Sequence, residues 1–157
     1  MYEAVERLTP ETLYALSHRT FIEMLESGFT SVAEFHYIHH QAKGIPYEDS
    51  NLLADTVIQA ALDAGIRITL LRVLYFRSGF GNQPLSPGQL RFCDKDLDAS
   101  MTSWHALRSR WQSHPHVKLG VAPHSVRAVP GEVLRTIART FPVGEHPLHI
   151  HVSEQIA

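Results

Sequence analysis

Cysteine is almost missing from this sequence: Cys93 is the only one in 157 residues. An internal disulfide framework is thereby excluded, and a reducing compartment suits the chain. No run of about 18 apolar residues is present, so nothing reads as a membrane-spanning helix. The first residues, MYEAVERLTPE, lack the apolar stretch of a secretory signal. Neither sign of charge is concentrated: 14 basic and 16 acidic side chains give a net charge of −2. No block of like charge offers a nucleic-acid footprint. Internal repeats and linkers are also missing. These absences leave a cytoplasmic, soluble enzyme or binding protein as the expected class. At 44% hydrophobic and 19% charged residues, the chain has enough apolar material for one real core.

What is present is an alternation of periods. LTPETLYALSHRTFIEMLESGF reads as a helix, with Thr9 as N-cap, Pro10 at the first helical position and Gly28 as the stop. TSVAEFHY then reads as a strand. SNLLADTVIQAALDAGI follows as a helix capped by Ser50 and ended by Gly65, and RITLLRVLY as a strand rich in branched residues. FRSGFGNQPLSPGQLRFCDKD has too much Gly and Pro for an element and is long enough to be a functional loop. LDASMTSWHALRSRWQSHP is a third helix, VKLGVAPHSV a strand, PGEVLRTIARTF a fourth helix and PLHIHVSEQ a last strand.

Strict helix–strand alternation with apolar strands predicts an α/β fold with a parallel sheet covered by helices. A doubly wound sheet and a (β/α)₈ barrel both satisfy it. No G-x-G-x-x-G follows any strand, which weakens the dinucleotide-binding version. Reactive residues gather at strand C-termini: Glu34, His36 and Tyr37; Tyr75; His124 and Arg127; His151 and Glu154. Sites spread over successive strand ends suit a barrel, whose strands converge on one axis. A barrel takes about 250 residues, so four strands make about half of one. The expectation is a single partial catalytic barrel domain over residues 1–157, incomplete at both ends, with Met1 internal to a longer protein.

Histidine is the overrepresented residue, with eleven. In HIHVSE, His149 and His151 share a face of a strand, and Glu154 joins His151 only where the strand has ended. A metal-ligand histidine beside a proton-transfer carboxylate has this geometry; a buried histidine pair followed by a solvated glutamate has the same spacing. In APHSVRAV, Arg127 offers a rigid fork for a carboxylate, or else a surface salt bridge. The His36, His39 and His40 run is more readily a solvated loop than a metal site, since zinc needs few ligands at set geometry. Cys93, without a partner, reads as inert.

GFTSVAEFHYIHH, GIRITLLRVLY, LGVAPHSVRAV and PLHIHVSEQ together resemble the formimidoylglutamate deiminase branch of the amidohydrolase superfamily, over essentially the whole chain. His-x-x-Glu is shared widely in that superfamily; HSVRAV and AEFHYIHH are more particular to the branch. The resemblance implies a zinc-containing (β/α)₈ barrel of which this chain supplies strands two to five. It implies hydrolysis of N-formimidoyl-L-glutamate to N-formyl-L-glutamate and ammonia, a step of histidine degradation. His151 matches a zinc ligand, Glu154 the proton-shuttling carboxylate, and Tyr37, His124 and Arg127 residues that hold a dicarboxylate substrate. The remaining zinc ligands have no counterparts here, and His149 matches no assigned role. A homodimer is compatible with the full-length form, and neither nucleic acid nor membrane is expected as a partner. Two alternatives stay open: a superfamily deaminase or chlorohydrolase acting on an aromatic heterocycle, and a non-catalytic α/β binding module.

Overall fold

A reciprocal cap starts the first helix, α1 (Pro10–Glu26). The Thr9 side chain accepts from the Thr12 N–H at 3.2 Å, and the Thr12 hydroxyl accepts from the Thr9 N–H at 2.8 Å. Two orphan donors are satisfied at once. This computed structural model describes residues 5–81, 83–142 and 144–153. After α1 come β1 (Ser31–His36), α2 (Leu52–Ala64), β2 (Arg67–Leu74), α3 (Leu97–Trp111), β3 (Val117–Pro123) and α4 (Gly131–Thr140). The long connection after β2 contains a 3₁₀ turn at Pro87–Phe92.

The helix expected to begin at Ser50 begins later, with Asn51 at its N-cap and no side-chain cap bond. The reason is tertiary. The Asn51 amide donates instead to the Ser103 carbonyl at 2.8 Å, tying α2 to α3. Gly65 ends α2 at φ 91°, the left-handed geometry that lets a helix close with little strain.

The strands form a parallel sheet in the order β1-β2-β3, with Phe35 opposite Leu71 and His36 opposite Arg72. Period two then sorts the residues. Ile68, Leu70, Val117 and Leu119 pack with Phe21, Ile58 and Leu107 into the main core between sheet and helices. Each such buried aliphatic side chain contributes about 1.5–3 kcal/mol. Leu71, Val73 and Ala122 lie on the opposite face, with Phe35 and Tyr37 against them. That inner face carries the candidate site.

The last segment departs from expectation. Its described part, residues 147–153, is not a continuous strand. It runs parallel to β3 through isolated bridges, Val121 with Leu148 and Ser125 with His151. Val121 N–H donates to Pro147 O at 3.0 Å and His149 N–H to Val121 O at 3.2 Å; His151 N–H then donates to His124 O at 3.1 Å. Three residues on one side thus span four on the other. The cause is Pro123, which sits where β3 would next donate and has no N–H. The ladder breaks there and resumes one residue out of step, as at a bulge.

Gly120 permits the approach. A Cβ built on it would meet the Pro147 carbonyl oxygen, and Leu71 Cδ2 at 2.7 Å. Gly120→Ala should therefore push the 147–151 segment off β3 and cost about 1–3 kcal/mol, as overpacking does. Urea unfolding measures the cost. Faster amide exchange at His149 and His151 would mark the displaced segment, and unchanged exchange would show that Gly120 does not set its approach.

Candidate active site

The inner face ends in aromatic and imidazole rings at the C-terminal edge of the sheet. Phe35 projects from β1 and stacks on His151, with centroids 4.3 Å apart and planes at 21°. The His124 ring stands edge-on to His151 at 5.3 Å and to Tyr75 at 4.8 Å. Tyr37 lies 6.0 Å from His124 and 4.6 Å from Phe92. Tyr37, His124 and His151, anticipated separately, are thus brought together by strands and segments far apart in sequence. His151 and His149 are exposed, and His124 is buried. His124 Nδ1 lies 3.1 Å from Ser125 Oγ, which also accepts the Ala128 N–H and shapes the turn after β3.

Arg127 stands on that turn. Its Nη1 donates to the Ser78 carbonyl, and to the Tyr75 hydroxyl at 3.5 Å. Arg77 holds the turn's backbone: its Nε donates to Arg127 O at 2.8 Å and its Nη2 to Val126 O at 3.2 Å. The connection after β2 therefore grips Arg127 by side chain and main chain. Instead of extending into solvent as a surface ion pair would, Arg127 is half-buried at the strand ends. Glu154, the expected proton carrier, lies outside the described residues.

Glu34 and His36 do not belong to this site. Both face the helices, on the opposite side of β1 from Phe35 and Tyr37, and burial raises the Glu34 carboxyl pKa. Nor is the His36, His39 and His40 run a solvated loop. His39 N–H and His40 N–H donate to the Arg91 carbonyl at 2.8 and 3.1 Å. The ring Nε2 of His39 donates to Val73 O at 2.9 Å, and that of His40 to Cys93 O at 2.8 Å. Carbonyls only accept, so both rings carry their proton on Nε2.

Beneath them Arg72 and Asp94 form a bidentate pair at 2.5 and 3.1 Å, exposed by only 1% and 6%. Burial works to raise Asp94, but the Arg72 hydrogen bond, His39 and the Arg72 charge together hold it at about 2. Burial, then the Arg72 charge, pushes His36 down to about 3 and His39 well below 6.5. The Cys93 thiol is raised to about 11, first by burial and then by Asp94. It stays protonated, as its inert reading requires.

Sequence reasoning passed over Phe35, Phe92 and the Arg72–Asp94 pair. A signal for two of them was available. Phe35 shares the strand face of Tyr37, and Arg72 is a charge inside the otherwise apolar RITLLRVLY. A cleft of about 570 Å³ between Arg108, Lys118 and Glu145 lies at the other end of β3, away from these rings. No helix among the described residues is long and apolar enough to cross a membrane.

A parallel sheet with helices on one face and rings gathered at the strand ends of the other is the arrangement of an arc of a (β/α)₈ barrel, and the chain belongs to the amidohydrolase family, whose profile matches residues 1–157. It is 41% identical over 155 residues to the formimidoylglutamate deiminase of Pseudomonas aeruginosa, spanning 99% of this chain and 34% of that protein. A crystal structure of an amidohydrolase from Brucella melitensis matches with a TM-score of 0.91 at 40% identity, over 99% of this chain and 34% of that one. Atrazine chlorohydrolase from Arthrobacter aurescens, solved with zinc, shares the fold at a TM-score of 0.71 and 21% identity, over 94% of this chain and 31% of its own. The chain thus spans about a third of the length of these relatives.

The buried charges make stability depend on pH in a definite direction. His36 binds a proton near 6.5 when unfolded but only near 3 when folded, so the unfolded chain takes up protons first on acidification. The histidine contribution is complete above about pH 6.5 and is lost progressively below it. The Asp94 contribution is complete above about pH 4 and is lost as pH falls toward 2. Urea midpoints should therefore fall between pH 7 and 5, and His36→Gln should flatten that fall. An unchanged slope would mean His36 is not held neutral. Asp94→Asn strands the Arg72 charge and should cost about 3–5 kcal/mol at pH 7.

Proposed function

We propose that this chain is the strand-two to strand-five arc of a zinc-dependent deiminase. The reaction is hydrolysis of the formimino C–N bond of N-formimidoyl-L-glutamate, giving N-formyl-L-glutamate and ammonia in histidine degradation. The observation that carries this reading is the convergence of Tyr37, His124 and His151 at one end of the inner face, with Arg127 gripped at the same end. The 41% identity to a formimidoylglutamate deiminase supports the substrate class.

His151 fits a metal-ligand role: it is exposed at the strand ends, and Phe35 stacked on its ring restrains it. Among the described residues no group of three His, Cys, Asp or Glu side chains is placed to hold a metal. His151 would be the one ligand from this chain, and the others would come from other strands of the barrel. When bound, zinc would lower the pKa of a water to about 7.

Arg127 presents N–H donors to a substrate carboxylate, while His124 and Tyr37 border the reacting group. Glu154 takes a proton from the attacking water and then one from the hydroxyl the carbon has gained, and delivers both to the departing nitrogen. The formimino carbon gains oxygen and loses nitrogen, so a formyl C=O remains and ammonia leaves. The working form is a cytoplasmic enzyme, a homodimer at full length, with no nucleic-acid or membrane partner. A flat heterocyclic substrate is the competing reading, favoured by the aromatic lining of Phe35, Tyr37, Tyr75 and Phe92.

Exchanging this chain for the matched third of the Pseudomonas aeruginosa relative should give a zinc-containing enzyme that releases ammonia from formimidoylglutamate. In it, Glu154→Gln should keep zinc and lose about 10²–10⁴-fold in turnover, the usual worth of a general acid–base group. His151→Ala should lose the metal. Arg127→Met should lower kcat/KM about 10- to 150-fold for the acid, equivalent to a charge-assisted contact of about 1.5–3 kcal/mol. Its effect on the carboxamide analogue should be small. Lysine should rescue only part, lacking the bidentate fork. Equal losses on acid and amide would make Arg127 structural and move the heterocycle reading ahead.

A further inference from the structure

We propose that Tyr75 and Gln89 are positioning residues for Arg127, and that through it they set the preference for a carboxylate-bearing substrate. The proposal rests on the deiminase reading and deepens it.

The argument runs on the direction of each hydrogen bond. Gln89 is buried in the 3₁₀ turn after β2. Its Oε1 meets the Ser86 N–H at 2.8 Å and the Ser86 hydroxyl at 3.0 Å. A backbone N–H can only donate, so the carbonyl end of the amide must face Ser86. The NH₂ end is thereby turned toward Tyr75, with Nε2 to Oη at 2.8 Å. An amide NH₂ also only donates, so the phenol oxygen accepts. Arg127 Nη1, a donor as well, reaches the same oxygen at 3.5 Å and the Ser78 carbonyl beside it. Starting from one main-chain N–H, the direction of every bond out to the guanidinium is fixed.

The Tyr75 ring cannot swing to relieve this. It is 3% exposed and held edge-on against His124 at 4.8 Å and Phe92 at 6.0 Å. Tyr75 Oη and Ser78 O are both uncharged, so neither of these two anchors is an ion pair. A carboxylate in either place would have formed an ion pair and competed with an anionic substrate. The same connection fixes the Arg127 main chain through Arg77. Together these bonds hold the fork against the side-chain freedom that a long arginine otherwise keeps. A binding group restrained in this way loses less entropy on capturing its ligand.

The test uses the full-length enzyme with formimidoylglutamate and its carboxamide analogue. Tyr75→Phe keeps the ring and its packing but removes the oxygen. KM for the acid should rise about 2- to 12-fold, the range of one neutral hydrogen bond, with kcat changed less than twofold and the amide unaffected. Gln89→Leu should act in the same direction more weakly, and Tyr75→Phe should add nothing once Arg127 is methionine. Equal losses on acid and amide, a full additional loss in the Arg127→Met background, or no change in KM would each overturn the proposal. If the wild type does not turn over formimidoylglutamate, the functional reading has failed on its own. Positioning is then decided by a urea-unfolding cycle of Tyr75→Phe with Arg127→Met, in which coupling supports it and additivity sinks it.

Discussion

A guanidinium sits on the helix-facing side of the central strand, where an apolar side chain would ordinarily be. Arg72 has almost no access to water, and leaving such a charge uncompensated in a low-dielectric interior is prohibitive. Its partners arrive from several elements. Asp94 comes from the approach to α3 and Asn51 from the N-cap of α2, while burial and then the Arg72 charge keep the rings of His36 and His39 neutral. Meeting that one demand turns Asn51 Oδ1 toward the guanidinium, at 3.5 Å, and away from the first N–H groups of α2. It also brings the long connection after β2 back against the sheet. Once drawn back, this connection is close enough to hold Arg127.

The sheet thus separates two polar systems that one-dimensional reading places together. AEFHY looks like a single cluster of reactive residues. Pleating sends Glu34 and His36 to the helix layer and Phe35 and Tyr37 to the inner face. On the helix side Arg72, Asp94 and His39 are buried and hydrogen-bonded, and His36 and Asp94 are shifted far from their ordinary pKa values. On the inner face, His151 stays exposed with the rings of Phe35 and His124 against it. Perturbed titration alone would have pointed to the helix side, although structural ion-pair networks also shift pKa values.

The alternation of helices and strands was legible because helix and strand periods are local properties, and so were Thr9, Pro10 and Gly65 as boundary residues. The convergence of Tyr37, His124 and His151 was legible as strand ends without geometry. What escaped was tertiary. Ser50 and Asn51 are equally good caps by type, and only the Ser103 carbonyl on another helix decides between them. From the sequence, Arg127 is a fork for a carboxylate or else one half of a surface salt bridge. Its anchors lie 49 and 52 residues earlier, in a connection whose Gly and Pro content announces a loop but not its path.

The place of His151 illustrates how a small backbone defect can serve chemistry. Had β3 continued with a donor at position 123, the last segment would have kept its first register along β3. The residue beside Ser125 would then have been Val152, and His151 would have met His124. The missing N–H of Pro123 lets the pairing slip by one residue, so that His151 bridges Ser125. In that slipped position its ring lies flat on Phe35 and edge-on to His124. A proline that reads as a strand terminator therefore also sets the register of the neighbouring segment. The deiminase reading needs that register, because a metal-ligand histidine works only where its ring is aimed at the same space as the substrate-holding groups.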